Sequence, residues 1–182
     1  MITRKRTLKF AQLAILSAIL FIMGFTPLGS IPIGPIVATI AQVPVVIGAC
    51  TMGKKEGAFL GGVFGFVSML YWFTIGAAAP TAFVFNPVVS FKMGDKWYVS
   101  VLFALASLII CYVPRILIGY VAGVIFEKLE NKNEPLAYIL SGIAGSLVNT
   151  ILVLGLTLLF FTPQYSDAMG ITKQALFTIV GT

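Results

Sequence analysis

The sequence predicts an all-α integral membrane protein, a compact bundle of spanning helices, and three observations carry that prediction. Hydrophobic residues make up 59% of the chain and charged residues 10%, with a mean hydropathy of +1.03, a balance of membrane-embedded chains rather than soluble domains. Apolar runs of spanning length recur. At roughly 20 residues per crossing, 182 residues hold about five or six crossings with their connections and leave no room for a soluble catalytic domain. Finally, basic residues gather at Arg4, Lys5, Arg6 and Lys9, at Lys54 and Lys55, and at Lys128 and Lys132, which are alternate connections. This positive-inside pattern places the N-terminus in the cytoplasm of a multi-pass protein. It makes the net charge of +6 a matter of topology and of the lipid bilayer, not of nucleic acid.

The first span covers about Leu8 to Phe25. The basic start MITRKRTLK resembles the head of a signal peptide, but the apolar run behind it is span-length and lacks a clear cleavage site. Ala14 and Ala18, with Ala11 a turn before, give this helix a small-residue face. Such spacing lets a second backbone approach closely, either inside the bundle or on a partner subunit. Phe25 to Ile36, FTPLGSIPIGPI, then breaks the helix with Pro27, Pro32 and Pro35, since proline lacks an N–H and pushes the preceding residue out of the α region. Yet Leu28, Ile31, Ile33 and Ile36 keep the stretch apolar. Irregular backbone beside a membrane is tolerated where it is buried in protein or lines a cavity, so this segment is expected to roof a site between helices.

A short second span, Val37 to Met52 with Pro44 inside, leads to a tight cytoplasmic turn, Gly53 to Gly57. GACTMGKK nearly spells a phosphate-binding loop, but its last position is Lys55 instead of a magnesium-binding hydroxyl, and a strand-to-helix context is missing. The third span, about Gly57 to Ile75, places Gly57, Gly61 and Gly65 four apart, a smooth groove for a neighbour. Tyr71, Trp72 and Phe73 end it, either as interface anchors or with Trp72 stacked on a planar ligand. A long outer connection, Gly76 to Trp97, has the length of a functional lid. Within it Asn86, before Pro87 among apolar neighbours, is a candidate polar contact for a solute.

Tyr98 to Leu129 reads as a short outer helix to about Ala106 followed by a span kinked at Pro114. Arg115 lies near the middle of that span. A charge at membrane depth is costly and normally faces the bundle interior or a watery cavity. The acidic residues Glu56, Glu127, Glu130 and Glu134 fall in cytoplasmic connections, and Asp95 and Asp167 outside. Arg115 therefore leans on backbone carbonyls, on water or on an anionic guest. The fifth span, about Leu136 to Phe161, carries Ser141, Gly142, Gly145 and Ser146, then Asn149, an amide that either bonds a neighbouring helix or a solute. TPQYSDAMG follows outside, and Ile171 to Thr182 reads as the start of a sixth helix too short to cross. The chain is accordingly expected to be one transmembrane domain, 1–182, truncated within its last helix.

These pieces together resemble the substrate-binding S components of energy-coupling factor (ECF) vitamin transporters. The resemblance rests on the Ala14/Ala18 spacing, PLGSIPIGPI, GKKEGAFLG, FVFNP, VPRILIGYVAG and SGIAGSLVNT, in family order across nearly the whole chain. It implies a bundle of six transmembrane helices in the full-length family, five plus the start of the sixth here, in a prokaryotic plasma membrane. It further implies capture of a small-molecule vitamin from outside under closing outer loops. Delivery would follow by docking through Ala14 and Ala18 to a transmembrane coupling subunit driven by two cytoplasmic ATPases, with no cofactor or metal of its own. The candidate binding residues are Asn86, Arg115 and Asn149, with Ile33 and Trp72. FVFNP departs from the expected serine before proline.

Arg115 favours a guest with a carboxylate or phosphate, hence pantothenate over riboflavin or another vitamin. The absence of histidine argues against a nickel or cobalt site. A proton-coupled carrier would show an acid or histidine relay within a span, and an enzyme a nucleophile or acid–base pair. A non-transport membrane scaffold is the remaining alternative, one that leaves the proline-broken apolar segment and the buried arginine unexplained.

Overall fold

A computed structural model describes residues 2–26, 29–33, 36–79 and 81–170. Helix α1, Ile2–Phe25, is 24 residues long, about 36 Å at 1.5 Å per residue, enough for a hydrocarbon core of about 30 Å. The proline-broken segment forms an antiparallel hairpin, β1 (Ser30–Ile33) with β2 (Ile36–Thr39), in the register Ser30↔Thr39, Ile31↔Ala38, Pro32↔Val37 and Ile33↔Ile36. Pro32 fits because both strands of a lone pair are edges, and an N–H missing on the open side costs no ladder bond. The hairpin is closed at its base by the Gly29 carbonyl, which accepts from Ile40 N at 3.0 Å and Ala41 N at 3.2 Å. A β-carbon on Gly29 would collide with the Met23 carbonyl oxygen, so glycine alone lets the chain fold back onto the end of α1.

A 3₁₀ turn, Ile40–Gln42, leads into α2, Val43–Met52, which has ten residues. The expected second span is thus corrected: its first residues are strand, and Pro44 starts the helix instead of kinking it. In the first turn the N–H that proline lacks has no intrahelical acceptor anyway. Gly53, at φ +111°, turns the chain alone, and α3, Lys54–Phe73, begins at once, so the expected turn over Gly53 to Gly57 contracts to one residue. The outer connection is also more ordered than a plain loop, with 3₁₀ turns at Gly76–Ala78 and Ala82–Val84 and a short helix α4, Pro87–Phe91.

Two further expectations are corrected. Helix α5 runs unbroken from Trp97 to Leu129 through Pro114; at membrane depth, neighbouring groups can satisfy the carbonyl that proline frees. Helix α6, Glu134–Met169, takes in the TPQYSDAM stretch read as loop. Its regular backbone is interrupted at Phe161 (φ −127°, ψ 17°), two residues before Pro163. The expected start of a sixth helix at Ile171 to Thr182 lies outside the described residues. By length and composition four helices can cross a membrane, Arg6–Phe25, Lys54–Phe73, Trp97–Leu129 and Glu134–Ala168, with Ile40–Met52 a shorter apolar helix. The chain is an all-α, multi-pass membrane protein with one small hairpin among its described residues.

The chain divides into two compact units, Met1–Val67 with Tyr112–Asn149, and Ser68–Cys111 with Thr150–Thr182. The first has a core of Leu20, Ala41, Val45, Met52, Leu60, Phe64 and Ile118, and a second cluster of Cys50, Phe126 and Ala137. Lipid tails are as apolar as leucine, so helices associate by close packing and hydrogen bonds rather than by expelling water. Here α3 crosses α5 through glycines on both sides. A β-carbon on Gly57 would lie 2.7 Å from the Gly119 carbonyl oxygen, one on Gly61 would strike the Arg115 carbonyl, and one on Gly123 would lie 2.5 Å from Lys54 Cα. Ion pairs from Lys9 to Glu56 (3.0 Å) and from Lys54 to Glu127 (2.8 Å) close the charged end of this unit. The second unit is built on aromatic packing around Phe83, Val84, Ala106, Ile110 and Phe161, with Phe161 against Phe83 and Phe103, both at 5.4 Å between centroids.

Candidate functional site

Packing within the first unit sets the height of each side chain. Cys50 of α2, Phe126 of α5 and Ala137 of α6 share one cluster. Further along, a β-carbon on Gly145 of α6 would lie 3.3 Å from Ile118 Cγ2 of α5 and 3.5 Å from Val46 Cγ2 of α2. Residues three or four apart share a helix face. One turn beyond this second contact therefore come Gln42 (four before Val46), Arg115 (three before Ile118) and Asn149 (four after Gly145). A hydrogen bond confirms the level: Gln42 Nε2 donates to Ser146 Oγ at 2.8 Å, across 104 residues of sequence. Counted in helix turns, Arg115, Gln42 and Asn149 come from three packed elements at one level of the first unit, next to the hairpin whose base bonds end at Ala41.

Each member is placed by its local sequence. Arg115 is 6% exposed. Its guanidinium carbon lies 5.8 Å from the centroid of the Phe64 ring, within cation–π range, and its carbonyl faces Gly61. The expected choice between a carbonyl clamp and an anionic guest gains a third element, an aromatic face that steadies the charge. Asn149 Oδ1 and Gln42 Oε1 are buried and meet no protein donor, a state that costs about 1–3 kcal/mol for each such group. Gln42 was invisible as a site residue while Val37 to Met52 read as one apolar span. The available signal was its position directly before the Val43–Pro44 helix start.

The other candidates are placed differently. Asn86 and Trp72 belong to the second unit, and Arg115 and Asn149 to the first. Asn86, 3% exposed, caps α4: its Oδ1 accepts from Val88 N (3.0 Å) and Val89 N (3.3 Å), and its Nδ2 donates to the Trp72 carbonyl at 3.0 Å. Ser90 Oγ donates to the Phe83 carbonyl within the same knot. The Trp72 ring stacks on Phe85, with centroids 5.3 Å apart and planes at 23°, and meets Tyr71 edge-on at 5.6 Å. One face of the indole is therefore taken within the protein. Ile33 ends β1 opposite Ile36. Ala14 and Ala18 are both exposed, as is Ala11, so the small-residue face of α1 is not consumed by packing within the described residues. No group of three or more His, Cys, Asp or Glu that could hold a metal occurs among those residues.

Spanning helices, with an interior polar level and a hairpin in the first unit, define a small multi-pass membrane protein whose only buried charge among the described residues is Arg115. A family model described as "ECF transporter, substrate-specific component" matches residues 8–182, and the chain belongs to that family, one of transporter components and not of enzymes. It is 33% identical over 130 residues to the pantothenic acid transporter PanT of Lactococcus lactis subsp. cremoris, covering 70% of this chain and 59% of that protein. It is 30% identical over 172 residues to the pantothenate transporter PanT of Leuconostoc mesenteroides subsp. mesenteroides, covering 92% of this chain and 73% of that protein.

Proposed function

We propose that this protein is the vitamin-capturing S component of an ECF importer in the cell membrane and that its vitamin is pantothenate. The observation that carries the reading is the interior layer of Arg115, Gln42 and Asn149 beside the hairpin, in a chain whose relatives bear the name pantothenate transporter. Pantothenate is an acid at one end, with an amide and two hydroxyls along its length. Arg115 pairs with the carboxylate, Asn149 meets a polar group of the guest, and the hairpin with Ile33 closes over it. Trp72 and Asn86 shape the outer connection. The 182 residues act as one transmembrane domain with a cytoplasmic N-terminus. ATP is hydrolysed by two cytoplasmic partner subunits, and Ala14 and Ala18 form the docking face for the transmembrane coupling subunit.

Thermal unfolding of the purified protein in detergent against a panel of B vitamins tests the ligand. A ligand at about 100 times its Kd stabilises by about 2.7 kcal/mol, a shift of several degrees with pantothenate and none with riboflavin. Flat melting curves with every vitamin would remove the reading. Ala14→Leu with Ala18→Leu should keep the ligand-dependent shift and abolish co-purification with the coupling subunit. Lost binding in that variant would reassign the face.

A further inference from the structure

We infer that Gln42, Ser146 and Asn149 form a hydroxyl-reading subsite, separate in task from the cation at Arg115, and that it sets selectivity at the neutral end of the guest. The inference deepens the proposed function and rests on it. Its starting point is a mismatch between Gln42 and a purely structural role. An interhelical bond needs one end of an amide, and that end is in use, Nε2 to Ser146 Oγ at 2.8 Å. The other end, Oε1, is buried with no protein donor, and so is Asn149 Oδ1, which follows Ser146 by three residues and shares its helix face.

The chemistry of the trio selects its guest. Amide oxygens accept hydrogen bonds and repel carboxylates, so the two buried oxygens call for O–H or N–H donors. Ser146 both donates and accepts, which lets the Gln42 amide turn over and present NH2 instead, with the serine following. A hydroxyl suits either orientation of that amide, because it both donates and accepts. Arg115 offers donors only and sits on α5, whereas the trio sits on the start of α2 and on α6. One layer therefore presents an acid-binding group and a hydroxyl-binding group from different helices. The ligand class is a small carboxylate bearing hydroxyls away from its acid end.

The test is a cycle of ligands against variants. Isothermal titration of the purified protein would use pantothenate, the analogue with one hydroxyl replaced by hydrogen, and the alcohol analogue in which CH2OH replaces the carboxylate. Unsubstituted protein should prefer pantothenate over the deoxy analogue by tenfold or more. Gln42→Leu should reduce that preference to within about threefold while leaving affinity for the deoxy analogue unchanged. Arg115→Gln should lose affinity for pantothenate and keep it for the alcohol. Asn149→Ala gives a second reading of the hydroxyl preference should Gln42→Leu not fold, with ligand-free melting as the folding control. Equal losses on both hydroxylated and deoxy ligands, or an undiminished preference in the folded variants, overturns the subsite and leaves the proposed function standing. No binding of pantothenate by the unsubstituted protein overturns both.

Discussion

Two asparagines, one in each unit, serve their surroundings differently. In the unit formed by Ser68–Cys111 and Thr150–Thr182, the Asn86 amide caps α4 and ties it to Trp72, and Ser90 holds the Phe83 carbonyl. These two side chains satisfy backbone groups of an irregular connection. In the unit formed by Met1–Val67 and Tyr112–Asn149, Gln42 Oε1 and Asn149 Oδ1 are left unmet, in a layer with a buried arginine. A buried group that completes a turn strengthens the fold. One that is buried and left open costs the fold about 1–3 kcal/mol. Asn86 is spent on the fold, whereas Asn149 Oδ1 stays open to the guest proposed above, although both look alike as amides among apolar residues.

Substitutions can break that contrast. The largest effect is expected at the α3–α5 crossing: Gly61→Leu drives a side chain into the Arg115 carbonyl and should cost about 3 kcal/mol or more, as overpacking does when the obstacle is backbone. Loss of the monodisperse folded fraction on size exclusion would show it. Arg115→Gln comes next and should act on affinity, weakening pantothenate binding about tenfold to a hundredfold, the range of a charge-assisted hydrogen bond of about 1.5–3 kcal/mol. Asn86→Ala should do the reverse, lowering stability by about 1–2 kcal/mol through the lost cap, with affinity within twofold. If titration shows Asn86→Ala losing affinity as Arg115→Gln does, the two asparagines are not different in kind. Smallest of all, Gly142→Ala and Gly155→Ala, where an added β-carbon meets nothing within 4 Å, should leave ligand-free melting unchanged.

Much of this was legible in the sequence, and the omissions have physical causes. Arg115 stood out because an ionisable group at membrane depth is rare. Gly57 and Gly61 announced a close crossing, but Gly119 and Gly123, the other half of the seam, were hidden in a run read for its proline. The prolines of Phe25–Ile36 excluded a helix without revealing a hairpin, since proline is compatible with an edge strand as well as with a loop. Asn86–Pro87 was read as a polar contact, although an asparagine followed by proline also spells an N-cap and first helical position. Gln42 was missed because hydropathy averages over a window, and one amide among apolar neighbours disappears into the mean. Its role depends on Ser146, a partner 104 positions away, which no local pattern encodes.

The glycine seam bears on how a captured molecule could be felt elsewhere. Where α3 meets α5, bare main chain lies on bare main chain, so there are no rotamers at the joint to soak up a disturbance. A pull on the guanidinium of Arg115 would pass through its own peptide to Gly61 of α3. Binding would then be registered as a displacement of rigid cylinders and not as a reshuffling of side chains.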